Sequence, residues 1–411
     1  MDRALKTVLT LKGAVKDVRK KRDKYAYEVQ YDDESFAGSS GKIERNILRE
    51  RITILDSVRP EDHIDFDTIK KCEEDDYHDM EAVPGTSNVL LRQSSDDAMR
   101  DILEKLDLMC KGSIETPFTN LVFNDFITDD PCGQSYVLKG TFSGAANKQH
   151  VAAKVFLYGE EFEREINILS ELHKKAPNGN RYVMSPLEQF EHPFALIVYP
   201  FGDKSLKDAY ENLPKRTGIP QQRREMIASF GLDAAQGIEF LHANNIVHLD
   251  IKPGNVMIFG EGTSDHHAKI IDLGLAQTHN PGSKSLVKCR GTVPYMSPEI
   301  HRAGSEQQLT ADLAKSDVWA MACLVWAIAV GNDPWKEKAP QEQMLQDDLV
   351  KIYNRNVSSA VMNGEHPDIN STDFPNEIRS LLQSSFNQDE HKRPDMNEFS
   401  NQLRIYARTL Q

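Results

Sequence analysis

The chain has 411 residues, of which 39% are hydrophobic and 27% are charged, and this predicts two or three domains with sizeable cores. A net charge of −14 excludes a general affinity for polyanions, so there is no strong nucleic-acid signal. The longest apolar run, Val318 to Val330, is shorter than the roughly 20 residues that span a bilayer. It predicts a buried helix and no membrane association.

The cysteines and the N-terminal residues indicate the cellular compartment in which the protein is expected. Five cysteines are scattered along the chain, without a CxxC pair or a metal-ligand spacing. This pattern is typical of free thiols in a reducing compartment. The residues after Met1 lack the apolar core of a secretion signal. We therefore expect a cytoplasmic or nuclear protein.

Residues 1–56 contain short runs in which apolar and polar residues alternate, separated by glycines and aspartates. Each run predicts a strand, and several short strands with turns predict a small β-barrel. The basic run from Arg19 to Arg22 is most simply a solvated turn within that barrel.

Residues 57–117 form an acidic linker followed by a helix. The stretch 57–101 holds 5 basic and 13 acidic residues, which is typical of an exposed linker. A helical pattern begins near residue 97. Five apolar residues share one face of this predicted helix: Met99, Ile102, Leu103, Leu106 and Met109.

Residues 118–411 begin strand-rich and end helix-rich. Tyr136–Gly140 and Val151–Phe156 predict paired strands. Four helices are predicted further along the chain: Glu161–Lys174, Gln222–His242, Lys315–Val330 and Asn376–Ser385. A β-rich lobe before a larger helical lobe predicts an α+β, bilobal domain, and the cleft between lobes is a favoured ligand site.

The segment from His248 to Asn255 carries the densest chemistry. Asp250 could accept a proton from a hydroxyl, Lys252 could sit beside a transferred phosphoryl group, and Asn255 could hold a metal. Phosphoryl transfer needs these three functions and little covalent chemistry from the protein. The competing interpretation is a solvated turn, which Pro253-Gly254 would form in any case.

This segment resembles the catalytic loop of eukaryotic protein kinases. The resemblance covers residues from about 118 to 408 and implies that 118–411 is a kinase domain with the bilobal kinase fold, with ATP and Mg²⁺ as cofactors. Val151 to Lys154 is similar to the third strand of that family, so Lys154 is the expected contact of the ATP phosphates. Glu165 is its expected ion-pair partner, with Glu161 as the alternative.

Ile270 to Gly274 is similar to the family's metal-binding segment, with leucine in place of phenylalanine. Asp272 is the implied Mg²⁺ ligand together with Asn255, because hard oxygen ligands suit that ion. Gly274 is expected to supply the freedom for the chain to turn away from the metal.

The resemblance also implies an adenine pocket around a hinge near residues 196–202. Either Val198 or Tyr199 is expected to guard its back, an ambiguity of one position. The implied cofactor-binding residues are Gly133, Val137, Ala152, Lys154, Val198, Tyr199 and Phe201.

Residues 291–299 are similar to the end of a kinase activation segment. Thr292 and Lys252 then imply serine and threonine substrates rather than tyrosine. Glu299 is expected to pair with Arg393 in a bidentate bridge, and Asp317 to brace the catalytic loop through backbone hydrogen bonds.

Two positions depart from the family pattern. Gly133 is the only glycine between 130 and 137, where the family has three that close over the phosphates. Leu249 stands where many kinases carry an arginine that binds a phosphate on the activation segment. We therefore expect less dependence on phosphorylation of that segment.

The first 56 residues resemble a Tudor or Agenet-type SH3-like barrel. Such barrels bind methylated lysine or arginine in an aromatic cage. Tyr25, Tyr27 and Tyr31 share one strand face, and they favour a core over a cage. An acidic partner for the basic run is the further alternative.

The leading hypothesis is an active, Mg²⁺- and ATP-dependent serine/threonine protein kinase that phosphorylates protein substrates. The alternative from another class is a pseudokinase, a scaffold that binds nucleotide or partners without efficient catalysis. A kinase of small molecules is disfavoured, because residues 291–299 would build a platform for peptides.

Overall fold

The computed structural model describes residues 17–21, 24–28, 102–128, 135–143, 148–157, 159–213, 219–305, 308–340, 346–370 and 373–410. The chain divides into two compact units, Met1–Thr86 and Ser87–Gln411.

In the first unit, the structure describes one antiparallel hairpin, formed by β1 (Asp17–Lys21) and β2 (Lys24–Glu28). Lys20 lies opposite Tyr25 in its register. The basic run is therefore not simply a turn, because Arg19 to Lys21 pair with the next strand. The other strands of the predicted SH3-like barrel lie outside the described residues.

The second unit begins with a small lobe built on a five-stranded antiparallel sheet. The strands lie in the order β3-β4-β5-β7-β6. Their bounds are β3 Leu121–Thr128, β4 Ser135–Ser143, β5 Lys148–Phe156, β6 Glu188–Phe190 and β7 Leu196–Pro200.

One face of this sheet is covered by helix α1, which spans residues 102–110. Leu106 and Met109 of α1 are buried in one cluster with Leu121, Leu138 and Val198. The sequence places this helix with the acidic linker, before a domain that begins at 118. Its apolar face instead completes the core of the small lobe, because one face of the sheet would otherwise expose apolar side chains to water.

The opposite face of the sheet receives α2 (Gly159–Lys175). Only residues 157 and 158 separate the end of β5 from this helix. The ring of Phe162 in α2 packs edge-on against Phe156 of β5, with 5.5 Å between ring centroids. Because the connection is so short, Lys154 and Glu165 can form an ion pair although they are only 11 positions apart in the sequence.

The large lobe is mainly helical. The predicted order of a β-rich lobe before a helical lobe is confirmed. Its helices are α3 Leu206–Glu211, α4 Gln221–Met226, α5 Leu232–Ala243, α6 Pro298–Arg302, α7 Leu313–Val330, α8 Gln346–Met362, α9 Asn376–Ser385 and α10 Met396–Thr409. Short strands carry the loops of the cleft: β8 Lys204–Ser205, β9 Ile246–Val247, β10 Val256–Phe259, β11 His267–Ile270, β12 Gln277–Thr278, β13 Ser285–Leu286 and β14 Thr310–Ala311.

Helix α7 is the centre of the large lobe. Trp319, Met321 and Leu324 have no exposed surface, and the helix ends at Gly331 in the left-handed conformation. Among the described helices, α7 alone is long and apolar enough to cross a membrane, and 89% of it is buried in the protein.

A buried ion pair fastens α6 to the C-terminal part of the lobe. Arg393 donates to both carboxylate oxygens of Glu299, at 2.7 and 2.9 Å, in the predicted bidentate geometry. Ser316 donates to the same carboxylate at 2.7 Å. Burial alone would raise the pKa of Glu299, but the Arg393 guanidinium and the Ser316 hydroxyl lower it to about 2.

We expect this ion pair to make the fold acid-sensitive. The carboxyl pKa is lower in the folded chain than in the unfolded one, so the stabilisation is present above about pH 4.5 and is lost as the pH falls towards 2. Its size is on the order of 3 kcal/mol. Melting temperatures measured between pH 7 and pH 3 should fall more steeply for the wild type than for the double variant Glu299→Gln/Arg393→Met. Equal slopes would contradict this prediction.

Candidate active site

The loop after β9 is braced from below by Asp317 of α7. This fully buried carboxylate accepts hydrogen bonds from the backbone N–H groups of His248 and Leu249, each at 2.8 Å, and from Nε2 of His242 at 2.8 Å. Leu249 has a φ of 63°, a left-handed conformation that costs on the order of 1–3 kcal/mol in a residue with a side chain. The brace holds the loop in this shape, which turns Asp250 towards the cleft.

Both oxygens of Asp250 are occupied by groups that the sequence singled out. Oδ1 accepts from the backbone N–H of Thr292 at 3.0 Å and from its hydroxyl at 2.7 Å. Oδ2 accepts from Lys252 at 2.8 Å and from the side-chain amide of Asn255 at 3.0 Å. Lys252 also donates to the Thr292 hydroxyl at 2.7 Å. The structure thus brings these four predicted residues into one hydrogen-bonded cluster.

A second cluster lies under the sheet of the small lobe. Lys154 of β5 donates to Glu165 of α2 at 2.6 Å and to Asp272 at 2.7 Å. The ion-pair partner of Lys154 is therefore Glu165, and the alternative, Glu161, has no such contact with it. Burial alone would lower the pKa of Lys154, but the two carboxylates raise it above its ordinary value.

The backbone around Asp272 differs from the expectation in one respect. The left-handed residue is Asp272 itself, with a φ of 64°, and Gly274 does not take that conformation. The space beside Gly274 is tight, since a Cβ there would lie 3.2 Å from Asp272 Oδ1 and 3.5 Å from Glu165 Oε2. The glycine therefore allows the chain to pass close to the charged cluster.

The predicted metal ligands fit Mg²⁺. The amide nitrogen of Asn255 is engaged by Asp250, which leaves its oxygen as the atom that can bind a metal. The Asp272 side chain is 40% exposed, and Lys154 lowers its pKa to about 2 although burial opposes this, so it is a carboxylate at neutral pH. Within the described residues no group of three or more His, Cys, Asp or Glu could hold a metal. Mg²⁺ suits such a pair, because it takes one or two protein oxygens and completes its shell with phosphates and water.

Strand register decides which residues face the cleft. Val137 pairs with Lys154, and Ala152 pairs with Tyr199, so these four side chains share one face of the sheet. Val198 lies on the other face and is fully buried in the core of the small lobe. The ambiguity of one position is resolved in favour of Tyr199, because the Val198 side chain does not face the cleft.

The remaining predicted pocket residues lie at its edges. Phe201 follows the end of β7, and its ring centroid is 4.9 Å from the ammonium group of Lys139. Gly133 lies outside the described residues. Sequence reasoning missed Met257 of β10, which packs so closely against the hinge that a Cβ on Gly202 would lie 2.0 Å from its Cγ. Alternation of side chains along β10 was the available signal, since Val256 is buried and Met257 turns the other way.

A family model described as protein kinase domain matches residues 135–403. The chain belongs to the protein kinase family. A probable LIM domain-containing serine/threonine-protein kinase of Dictyostelium discoideum is 26% identical over 79% of this chain and 44% of its own length. Serine/threonine-protein kinase SBK1 of Mus musculus is 28% identical over 34% of this chain and 31% of its own. An Aurora kinase of Eremothecium gossypii is 28% identical over 44% of each chain. The chain thus spans less than half the length of these relatives.

The activation segment of this kinase, from Asp272 to Glu299, is tied to the large lobe by a buried bridge. Asp312, the N-cap residue of α7, accepts from His279 Nε2 at 2.8 Å and from the Gly282 N–H at 2.8 Å. His279 Nδ1 in turn accepts from the Ser285 hydroxyl at 2.8 Å. His279 and Asp312 are buried, at 4% and 2% exposure. Three side chains from two parts of the chain therefore hold the segment without a phosphate.

We expect His279→Ala to loosen the activation segment. The change removes one of the hydrogen bonds to the buried Asp312 carboxylate, which keeps the bond from the Ala314 N–H, and this loss costs about 1–3 kcal/mol. Amide hydrogen exchange of residues 279–290, followed by mass spectrometry, should then become roughly 5- to 150-fold faster. Ser283→Ala is the matched control, because that hydroxyl is exposed and bonds only the Asn280 carbonyl. Unchanged exchange in the His279 variant would show that the bridge does not hold the segment.

Proposed function

We propose that this protein is an active, ATP- and Mg²⁺-dependent kinase that phosphorylates serine and threonine in protein substrates. The observation that carries the proposal is the completeness of the site. Asp250 holds Lys252, Asn255 and Thr292 within 3.0 Å, and Lys154 joins Glu165 to Asp272. Each function that phosphoryl transfer needs has a residue in place.

We infer a role for each group from the geometry. The hydroxyl oxygen of the substrate would attack the γ-phosphorus, and a carboxylate oxygen of Asp250 would accept the hydroxyl proton. The bond between the γ-phosphorus and the oxygen that bridges to the β-phosphate would break at the same time. Lys252 is 2.8 Å from that carboxylate and would neutralise charge on the transferred group. Lys154, held by Glu165, would hold the α- and β-phosphates. Bound at Asn255 and Asp272, Mg²⁺ would supply charge to the β- and γ-phosphates.

Thr292 supports serine and threonine as acceptors. Its hydroxyl donates to Asp250 and accepts from Lys252, so it sits between the proposed base and the proposed phosphate contact. The aliphatic hydroxyl of a substrate would have to approach this same position. The relatives described as serine/threonine-protein kinases agree with this choice.

The pseudokinase alternative predicts nucleotide or partner binding without transfer. We expect the wild type to transfer labelled phosphate from ATP to a generic basic protein, and Asp250→Asn to lower the rate about 10²- to 10⁴-fold through loss of the base. Asp272→Ala should abolish transfer by removing a metal ligand. A fluorescent nucleotide titration shows whether each variant still binds nucleotide. Wild-type transfer no faster than that of Asp272→Ala, with nucleotide binding intact, would favour the scaffold.

For the first 56 residues we propose an SH3-like module that binds a methylated or acidic peptide, in a protein of the cytoplasm or nucleus. The hairpin of β1 and β2 supports a β-rich module. The free thiols of Cys110, Cys289 and Cys323 support a reducing compartment.

The module yields a binding prediction. If an aromatic cage exists, Tyr31→Ala should weaken binding of methyl-lysine or methyl-arginine peptides about tenfold or more, because the cation–π contact is lost. Fluorescence anisotropy with a peptide panel measures this, with the unmethylated peptides for comparison. Tyr77→Ala, in the acidic linker, is the matched control. Equal affinity for methylated and unmethylated peptides would exclude the cage.

A further inference from the structure

Both oxygens of the Glu165 carboxylate carry a hydrogen bond. Oε2 accepts from Lys154 at 2.6 Å, and Oε1 accepts from the hydroxyl of Tyr199 at 2.7 Å. The Glu165 side chain has no exposed surface. A buried carboxylate needs partners for its lone pairs, and Tyr199 supplies the one that Lys154 does not.

The tyrosine can hold this bond over a wide pH range. Burial, and then the negative charge of Glu165, raise the pKa of Tyr199 well above its ordinary value. The hydroxyl therefore stays protonated and remains a donor throughout the range in which an enzyme of this kind is assayed.

Lys154 alone does not determine the orientation of Glu165. Its ammonium group is shared with Asp272 at 2.7 Å, and a lysine on a flexible stem can follow either carboxylate. Tyr199 lies on β7, which is hydrogen-bonded to β5. The tyrosine side chain has only two rotatable bonds that position its ring. The bond from Tyr199 to Glu165 thus ties α2 directly to the sheet.

This tie adds to two others. The two-residue connection between β5 and α2 limits how far the start of the helix can move. The contact between Phe156 and Phe162 packs the first turn of the helix against the strand. Neither reaches the Glu165 carboxylate, which the Tyr199 hydroxyl does.

We propose that Tyr199 is a positioning residue that keeps the Lys154–Glu165 pair assembled, with α2 against the sheet, before any nucleotide binds. The proposal rests on the proposed kinase function, which it deepens. The tyrosine hydroxyl would hold the ion pair, and the tyrosine ring would line the cleft face of the sheet.

The test is a double-mutant cycle in the full-length chain. Tyr199→Phe keeps the ring and removes the hydroxyl, so the site is expected to remain folded. We expect a roughly tenfold fall in kcat/KM for ATP, the usual effect of losing a hydrogen bond to a charged group. In a Glu165→Gln background, where the charge is absent, the same change should have little effect. Tyr353→Phe is the matched control, since it removes a hydrogen bond of 2.8 Å to the Pro334 carbonyl in the large lobe.

Two readouts separate this proposal from the kinase activity itself. Hydrogen exchange of amides in 159–175 should become faster in Tyr199→Phe without nucleotide, and the affinity for a fluorescent ATP analogue should fall about tenfold. Both can be measured even if the wild type transfers no phosphate. If Tyr199→Phe lowered kcat/KM by the same factor in the Glu165→Gln background as in the wild type, the proposal would be overturned. Such a result would show that Tyr199 acts on packing alone. Unchanged exchange in α2 would also overturn it.

Discussion

The ammonium group of Lys154 is the charge on which the cleft depends. It lies between two carboxylates that come from different parts of the kinase domain, Glu165 on a small-lobe helix and Asp272 on a loop of the large lobe. Two negative charges this close would repel one another strongly in a partly buried site. Lys154 offsets that repulsion, and its side chain links β5 of the sheet both to α2 and to the loop that carries Asp272.

The same arrangement leaves the cleft ready to receive phosphates. Lys154 and its two partners carry one net negative charge, so a cation that accompanied the phosphates would favour nucleotide binding here. If Asp272 and Asn255 held such a cation, its charge would offset that of Asp272, and Lys154 would be available to the phosphates while Glu165 kept it in place. The Tyr199 hydroxyl matters at this step, because Glu165 must stay oriented while Lys154 exchanges one partner for another.

Two of the six described non-glycine residues with a left-handed backbone lie beside the groups that the proposed chemistry uses. Leu249 and Asp272, with φ of 63° and 64°, precede or carry the two carboxylates that the chemistry uses. Such conformations persist only where the surroundings hold them. Asp317 holds the first through two backbone N–H groups, and the salt bridge to Lys154 holds the second. The buried acid in α7 therefore supports a conformation that local sequence preference would not select.

The parts of this site that could be predicted from the sequence are those whose residues lie close together along the chain. Asp250, Lys252 and Asn255 lie within eight residues, and their relative placement follows from one short loop. The Tyr199 hydroxyl bonds Glu165, 34 positions away, and His279 bonds Asp312, 33 positions away. No local sequence pattern indicates contacts between residues so far apart. The choice between Val198 and Tyr199 stayed open in the sequence for a related reason. The side-chain period of a strand is two residues, so an error of one position moves a residue to the opposite face.

Leu249 shows how the activation segment is held where many kinases use a phosphate. An arginine at this position would need an anionic partner. Leu249 instead packs against the cluster that contains Val287 and Met296, both from the activation segment, and Val247 from the strand before the catalytic loop. Apolar packing on one side and the His279–Asp312 bridge on the other fasten the segment with interactions that need no modification. With the segment so placed, the Thr292 hydroxyl donates to Asp250 and completes the hydrogen-bonded cluster around that carboxylate.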